Sequence, residues 1–320
     1  MENQQWNKEV VRNLDLDPSM LPEVLRSVDP VGTIRSDVSK QTELPPSTTV
    51  VAGGADTACS AVGSGIVDSG LVSASIGTSG TIVAHTNSMR RDSGGRIHSF
   101  NHAVPDRWYL MGVMLSAAGS LNWYQDHVDP RDVDPRTLDQ EADSVPPGSD
   151  GIIFLPYLNG ERTPHRNARA RGVFFGLSST HTHRHMTRAV MEGVAYGLRD
   201  SLELIRNLGV EPTQIRATGG GAKSPFWRQV LADVFGETVV TMKVEEGPAF
   251  GASLIAAVGA KHFNSVAYAV ETGVRTAEQI TPKPRLTDRY DEYYDLFQSL
   301  YASLSDQYET LHDLVNQYES

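Results

Sequence analysis

The sequence predicts an α/β fold with crossover helices, and three observations carry the prediction. From Val50 onward, short β-branched runs alternate with helix-like stretches. Two of these runs end in glycine-rich turns, at Gly53-Gly54-Ala55 and at Gly219-Gly220-Gly221-Ala222, and each turn opens onto a helix-like segment. Residues 182–208 place Met186, Ala189, Val190, Val194, Leu198, Leu202 and Ile205 at three- and four-residue spacing, the clearest helical stripe in the chain.

The elements follow in order. Residues 1–44 are polar, with a short helical turn expected at 21–25 and a short strand at 31–34; ELPPS at 43–47 breaks the chain before the next strand. This opening reads as the end of a domain, because it could bury little by itself. Residues 57–66 are helix-like, 72–76 and 81–84 are strands, 108–113 is a strand and 117–127 a helix. The acidic, proline-punctuated stretch 129–149 reads as a surface helix between loops, with no chemistry to identify in it. Residues 151–155 form a buried-strand pattern ending at Pro156, and the polar run NGERTPH follows at 159–165. Strands at 214–218 and 238–242, helices at 224–235 and 249–259, and a long terminal helix from about Arg289 complete the chain. Its stripe of Tyr290, Tyr293, Tyr294, Phe297, Leu300 and Leu304 reads as core, as does Met191.

The chemistry concentrates in residues 48–81. Asp56 stands between two glycine-rich turns, at the mouth of a strand-to-helix turn. The second turn, Ser75-Ile76-Gly77-Thr78-Ser79-Gly80-Thr81, alternates glycine with hydroxyls, so amides and side-chain O–H groups could converge on an anion. A carboxylate beside a phosphate cradle suggests phosphoryl transfer. Each half alone also fits a bland reading, a helix cap and a hairpin turn. The turn at 219–222 lets a flat ligand approach the backbone, and Ser224 with Pro225 starts a helix whose N-terminus favours anions. His181, His183 and His185 lack paired carboxylates and read as solvated side chains rather than a metal site.

Composition narrows the classes. With 320 residues the expectation is about two domains, and 39% hydrophobic residues suffice for a core. The net charge of −11 and the lack of a lysine or arginine block disfavour general nucleic-acid binding. No apolar run reaches membrane-spanning length, MENQQWNKEVV carries no secretory core, and the single cysteine, Cys59, makes no intramolecular disulfide. The chain is expected to be cytoplasmic. No G-x-S-x-G elbow and no G-x-x-x-x-G-K-[ST] occurs, which disfavours a serine hydrolase and a P-loop enzyme.

GGADTACSAVGSG, SIGTSGT, HSFNHAVPDRWYLMGVMLSAAGSLNW, FLPYLNGERTPH, GVFFGL and TGGGAKSPFWRQVLAD occur in one order. Together they resemble the FGGY family of carbohydrate kinases, and within it the xylulokinases, from about Leu21 to about Tyr301. The resemblance implies a ribonuclease-H-like domain of the actin, hexokinase and sugar-kinase superfamily, with the closing segment of a second such domain. Residues 1–68 would close the sugar-side domain and residues 69–320 would be the nucleotide-side domain. It further implies ATP-dependent phosphorylation of a sugar hydroxyl, D-xylulose to D-xylulose 5-phosphate, with Mg²⁺ and with no protein metal ligands assigned. Asp56 matches the catalytic base and also contacts the sugar. Gly77, Thr78 and Ser79 would face the terminal phosphates, and Gly220, Gly221, Ala222, Ser224 and Trp123 belong to the ATP side. Glu161-Arg162, a Glu-Arg pair in a loop, reads by itself as a surface ion pair worth little; the resemblance makes the loop structural support for the site near the interdomain cleft rather than catalytic. Xylulokinases usually carry Asn as a sugar ligand after the catalytic Asp, where this chain has Thr57 at the substrate-binding position, which leaves a kinase for another ketose or polyol as an alternative. The family's opening Asp-x-Gly-Thr hairpin has no counterpart here, so the chain alone is expected to be incomplete. A separate N-terminal kinase half or a homo-oligomer is the partner this leaves open, and a non-catalytic nucleotide-binding fragment is the rival reading.

Overall fold

The computed structural model of the chain describes residues 5–319 other than Glu245. The polar opening at residues 1–4, part of the stretch without a secretory core, lies outside the described residues. The first part comprises α1 (Lys8–Asn13), β1 (Pro30–Thr33), α2 (Ser36–Thr42), β2 (Thr49–Val51) and α3 (Asp56–Gly63). β1 and β2 pair antiparallel in a small sheet of their own. The helical turn expected at 21–25 does not form. Leu21 is extended, at φ −89° and ψ 130°, as a residue before proline prefers, and a single 3₁₀ turn at Pro18–Met20 precedes it. Trp6 Nε1 donates to the Pro22 carbonyl at 2.7 Å and ties this segment to the chain's beginning.

The second part is built on a seven-stranded sheet. Its elements are β3 (Leu71–Ile76), β4 (Gly80–Thr86), β5 (His98–Asn101), β6 (Trp108–Met114), α4 (Ala118–His127) and α5 (Pro135–Asp143), then the hairpin β7 (Ile153–Leu155) and β8 (Val173–Phe175). α6 (His183–Asn207), β9 (Gln214–Thr218), α7 (Pro225–Phe235), β10 (Val239–Met242), α8 (Gly247–Gly259), α9 (Val266–Gly273), β11 (Thr276–Ile280) and α10 (Pro284–Glu319) follow. The strand order is β11-β10-β9-β3-β4-β6-β5. β3, β4 and β6 form an antiparallel meander, whereas β9 runs parallel to β3 and β10 parallel to β9. Three antiparallel strands continued by two parallel ones reached through helices is the ribonuclease-H-like arrangement that the resemblance implies.

Two cores flank this sheet. On one face Val72, Ala74, Ile76, Ile82, Ala84 and Leu110 pack under α4, α6, α7 and α10. On the other, Val83 and Tyr109 pack under α3, α8 and α9. Side chains that alternate along β3 and β4 supply both faces, which is the strand periodicity at work. α6 is buried along most of its length, and Met191 packs within it. Tyr290, Tyr294, Phe297 and Leu300 of α10 are buried, so the aromatic stripe is core. Truncating one such buried side chain to Ala would cost about 2–5 kcal/mol. Two edge strands escaped the sequence pattern, β5 and β11; both are short and polar, and β11 is largely exposed.

Candidate functional site

β3 and β9 lie side by side and parallel, with Ser75 paired to Thr218. Their carboxyl ends therefore deliver two glycine turns to the same edge of the sheet, the place where open α/β sheets receive ligands. Between β3 and β4 the turn Gly77-Thr78-Ser79 is closed by the Gly77 amide donating to the Ser79 carbonyl at 3.0 Å. Its other carbonyls face α4: Ala118 N–H donates to Gly77 O at 2.8 Å, and the Ala117 and Gly119 amides donate to Thr78 O at 2.9 and 3.1 Å. α4 has no side-chain cap, so the hairpin serves as its cap. After β9, Gly219 takes φ +84°, and a side chain there would collide with the Ile76 backbone. Gly220–Lys223 forms a 3₁₀ turn, and Ser224 caps α7 by accepting from the Trp227 amide at 2.9 Å.

Both turns open on one cleft with a volume of about 1620 Å³. Gly77, Thr78, Gly220, Gly221 and Ser224 line it, along with Asn122 and Gln125 of α4. Ser79 is exposed at the hairpin tip, and Ala222 is buried beneath its turn. Trp123 lies outside the cleft lining; its ring stacks on Phe154 with centroids 6.4 Å apart.

The opposite wall is α5, which the sequence left without chemistry. Leu138 and Ala142 bury one face of it, while Pro135, Arg136, Asp139, Gln140 and Asp143 line the cleft. Ser224 donates to Asp139 Oδ1 at 2.6 Å, joining α5 to the start of α7. Burial pushes the Asp139 carboxyl above its ordinary range, against the pull of that hydrogen bond. Arg188 of α6 fastens the end of α5, donating to the Ala142 and Val145 carbonyls at 3.1 and 2.6 Å and to the Tyr290 hydroxyl at 2.9 Å. Glu192 neutralises it at 2.6 Å and accepts from Gly148, Ser149 and Tyr290. Removing either partner of such a buried pair would cost about 3–5 kcal/mol. Asp134 caps this helix, its side chain accepting from the Arg136 amide at 2.8 Å with Pro135 at the first helical position, a cap-proline pair that the sequence analysis did not use.

Asp56 sits apart from the cleft, exposed in the first turn of α3. Gly53 at φ +74° turns the chain after β2, and Asp56 Oδ1 accepts from the Thr57 amide at 2.6 Å and from the Thr57 hydroxyl at 3.3 Å. A carboxylate at a helix N-terminus is electrostatically favoured there. Tyr109 lies within reach of that charge: burial first, then Asp56, pushes its hydroxyl up to about 12. His181 and His185 act as local caps, their Nδ1 atoms accepting from the Ser178 and Thr182 amides at 2.9 and 3.2 Å, whereas His183 Nε2 lies 3.5 Å from Glu141 Oε1 and so faces a carboxylate that the sequence did not reveal. No group of three or more potential metal-ligating side chains occurs among the described residues. Among them, also, no helix is long and apolar enough to cross a membrane.

Glu161 departs from its reading as half of a surface pair. It is 2% exposed, and Oε1 accepts from the Leu115 and Arg162 amides at 3.1 and 2.6 Å. Burial pushes its carboxyl up to about 8.

Comparison with known proteins identifies relatives of the chain. Residues 1–63 match the N-terminal domain, and residues 72–260 the C-terminal domain, of the FGGY family of carbohydrate kinases. The chain is 37% identical over 302 residues to a xylulose kinase of Bacillus subtilis, covering 94% of this chain and 60% of that protein. A gluconokinase of the same organism is 31% identical over 323 residues, covering 96% of this chain and 62% of the relative. A crystal structure of ligand-bound xylulose kinase from Lactobacillus acidophilus superposes with a TM-score of 0.91 at 27% identity, covering 97% of this chain and 63% of that one. The chain thus spans about 60% of the length of the curated relatives it matches.

Proposed function

The chain belongs to the FGGY family of carbohydrate kinases, and from that premise we propose that it carries the nucleotide site and the catalytic carboxylate of an ATP-dependent kinase for D-xylulose. The observation that carries the proposal is the single cleft lined by both glycine turns, Gly77-Thr78 and Gly220-Gly221. The hairpin and the α7 N-terminus would face the phosphates, and the 219–222 turn the nucleoside. Asp56 would accept the proton of the sugar hydroxyl as its oxygen attacks the γ-phosphorus and the bond to ADP breaks. Mg²⁺ would neutralise charge on the phosphates. It would be carried by the phosphate oxygens of the nucleotide. Residues 1–68 would belong to the sugar-side domain and 69–320 to the nucleotide-side domain, and a cytoplasmic location fits this chemistry.

Asp56 lies outside the cleft lining, so the reaction would need closure of two domains over both substrates. Trp6, Val10, Leu14, Leu16, Met20, Val24 and Leu25 are exposed large apolar side chains within the first part. They would meet the remainder of a sugar-side domain, in the same polypeptide or a separate one. A second reading, a kinase for another ketose or polyhydroxy acid, is favoured by Thr57, whose hydroxyl bonds Asp56, and by the gluconokinase relative.

The test is a coupled ADP-release assay over D-xylulose, D-ribulose, gluconate and glycerol. It is run on the chain alone and with the co-expressed N-terminal half of a related kinase. Turnover led by D-xylulose is the expected result, with complementation required. Turnover led by another substrate moves the assignment to the second reading, and no sugar-dependent turnover in either arrangement overturns the kinase proposal. Thr57→Asn should lower KM for D-xylulose more than it raises kcat.

A further inference from the structure

β6 pairs with β4 along its whole length, but its other neighbour, β5, stops at the pair His98–Met111. Beyond that point side chains and backbone of the 159–165 loop take the place of a strand. The Val113 amide donates to the Thr163 hydroxyl at 3.1 Å, and the Thr163 amide donates to the Val113 carbonyl at 3.0 Å. The next outward amide, Leu115, donates to Glu161 Oε1. Two residues later the chain reaches Ala117, at φ −96° and ψ −106°, whose amide begins the set that holds the hairpin carbonyls. Asn159 reinforces the junction by donating to the Ser116 hydroxyl at 3.1 Å.

We propose that Glu161 is a positioning residue for the phosphate end of the cleft, holding the β6-to-α4 junction so that Ala117, Ala118 and Gly119 fix the Gly77-Thr78 hairpin. The proposal deepens the nucleotide-site reading and rests on it for the word phosphate; the mechanical link stands without it. Glu161 touches neither substrate. Its Oε2 is buried and has no hydrogen-bond partner among the described residues, so an added negative charge there has nothing to compensate it. The charge on Asp200 of α6 opposes ionisation further, and Tyr157 of the preceding segment feels the Glu161 charge in turn. Arg162, the adjacent cation, is exposed. The carboxyl is therefore neutral at neutral pH, and because opening the junction releases its proton to water, the closed state loses its advantage as pH rises toward about 8.

Amide hydrogen exchange on the full chain, expressed as protection factors between pH 6 and 9, tests this without any ligand. Wild type should lose protection at Ala117–Gly119 by about tenfold per unit from pH 6 up to about 8, where opening releases the Glu161 proton, and level off above it. Glu161→Gln, an uncharged isostere, should keep it across the range, and Glu161→Ala should lack it throughout. A second arm measures ATP and adenosine affinity. Glu161→Ala should weaken ATP by about tenfold while adenosine binding holds, a split that a merely structural role would not produce. Wild-type-like protection in Glu161→Ala, or loss spread evenly over the chain, overturns the proposal. If wild type binds neither ligand, the nucleotide-site reading fails while the exchange arm still decides the link.

Discussion

Gly251 on α8 lies against the backbone carbonyl of Cys59 on α3, with no room between them for a side-chain carbon. Gly63 meets the Gly247 carbonyl in the same way, so the two helices touch backbone to backbone. Asp56 stands one turn before Cys59 on the same helix. Gly251→Ala must push α3 away from α8, at about 1–3 kcal/mol. Calorimetry should find a lower Tm, and, if Asp56 is the base as proposed, kcat in an active assembly should fall further than nucleotide affinity, because α3 moves and the cleft does not.

Asp56→Asn keeps the shape of the side chain and removes its capacity to take a proton. In an active assembly kcat should drop by about 10²- to 10⁴-fold with ATP affinity nearly unchanged. Near-normal turnover in the Asn variant, measured under saturating ATP, would remove Asp56 from the base role.

Gly220 and Gly221 are adjacent but should behave oppositely. A carbon added at Gly220 meets nothing within 4 Å and enters the cleft, whereas one added at Gly221 runs into Ile76 and Trp227. Gly220→Ala should stay within about 0.5 kcal/mol of wild-type stability and raise the KM for ATP. Gly221→Ala should lose about 1–3 kcal/mol. Equal effects on Tm and KM for the two variants would contradict the geometry.

Asp200 of α6 accepts from the Tyr294 hydroxyl at 2.6 Å and from Gln298 at 3.1 Å, and so pins α10. Burial pushes its carboxyl up to about 6, with Glu203 adding to the shift and Arg199 opposing it. The folded state thus holds a proton that the unfolded chain releases, and this contribution to stability is present below pH 3.8 and lost as pH rises through about 6. Asp200→Asn removes the dependence while keeping an acceptor. The stability of the variant relative to wild type should rise between pH 4 and pH 7 by about 1–3 kcal/mol. A difference constant with pH would refute the assignment.

Much of the fold was legible where local pattern and tertiary role coincide. The α6 stripe, the 219–222 turn with its Ser224 cap, and the α10 aromatics behave as their spacing predicts. The α5 helix was legible as a surface helix but its place in the cleft was not, because that place depends on Ser224, 85 residues later, and its composition is that of an exposed helix. Glu161 was misleading for a related reason. A Glu-Arg dipeptide in a loop gives no sign that one side chain will replace a strand's hydrogen-bond partner while the other faces solvent. Sequence order also could not bring Asp56 and the cleft together, and they remain separate surfaces in this structure.

The parallel pairing of β3 with β9 has a kinetic consequence. At its start Thr213 donates its hydroxyl to the Gly70 carbonyl, 143 residues away in the chain. The β3-β4-β6 meander needs only short closures, but the cleft needs this long one, which carries the larger entropic barrier. The binding surface would then assemble after the folding nucleus has committed. A nucleotide that reads both turns could slow the molecule's unfolding, yet it would leave the rate of folding untouched.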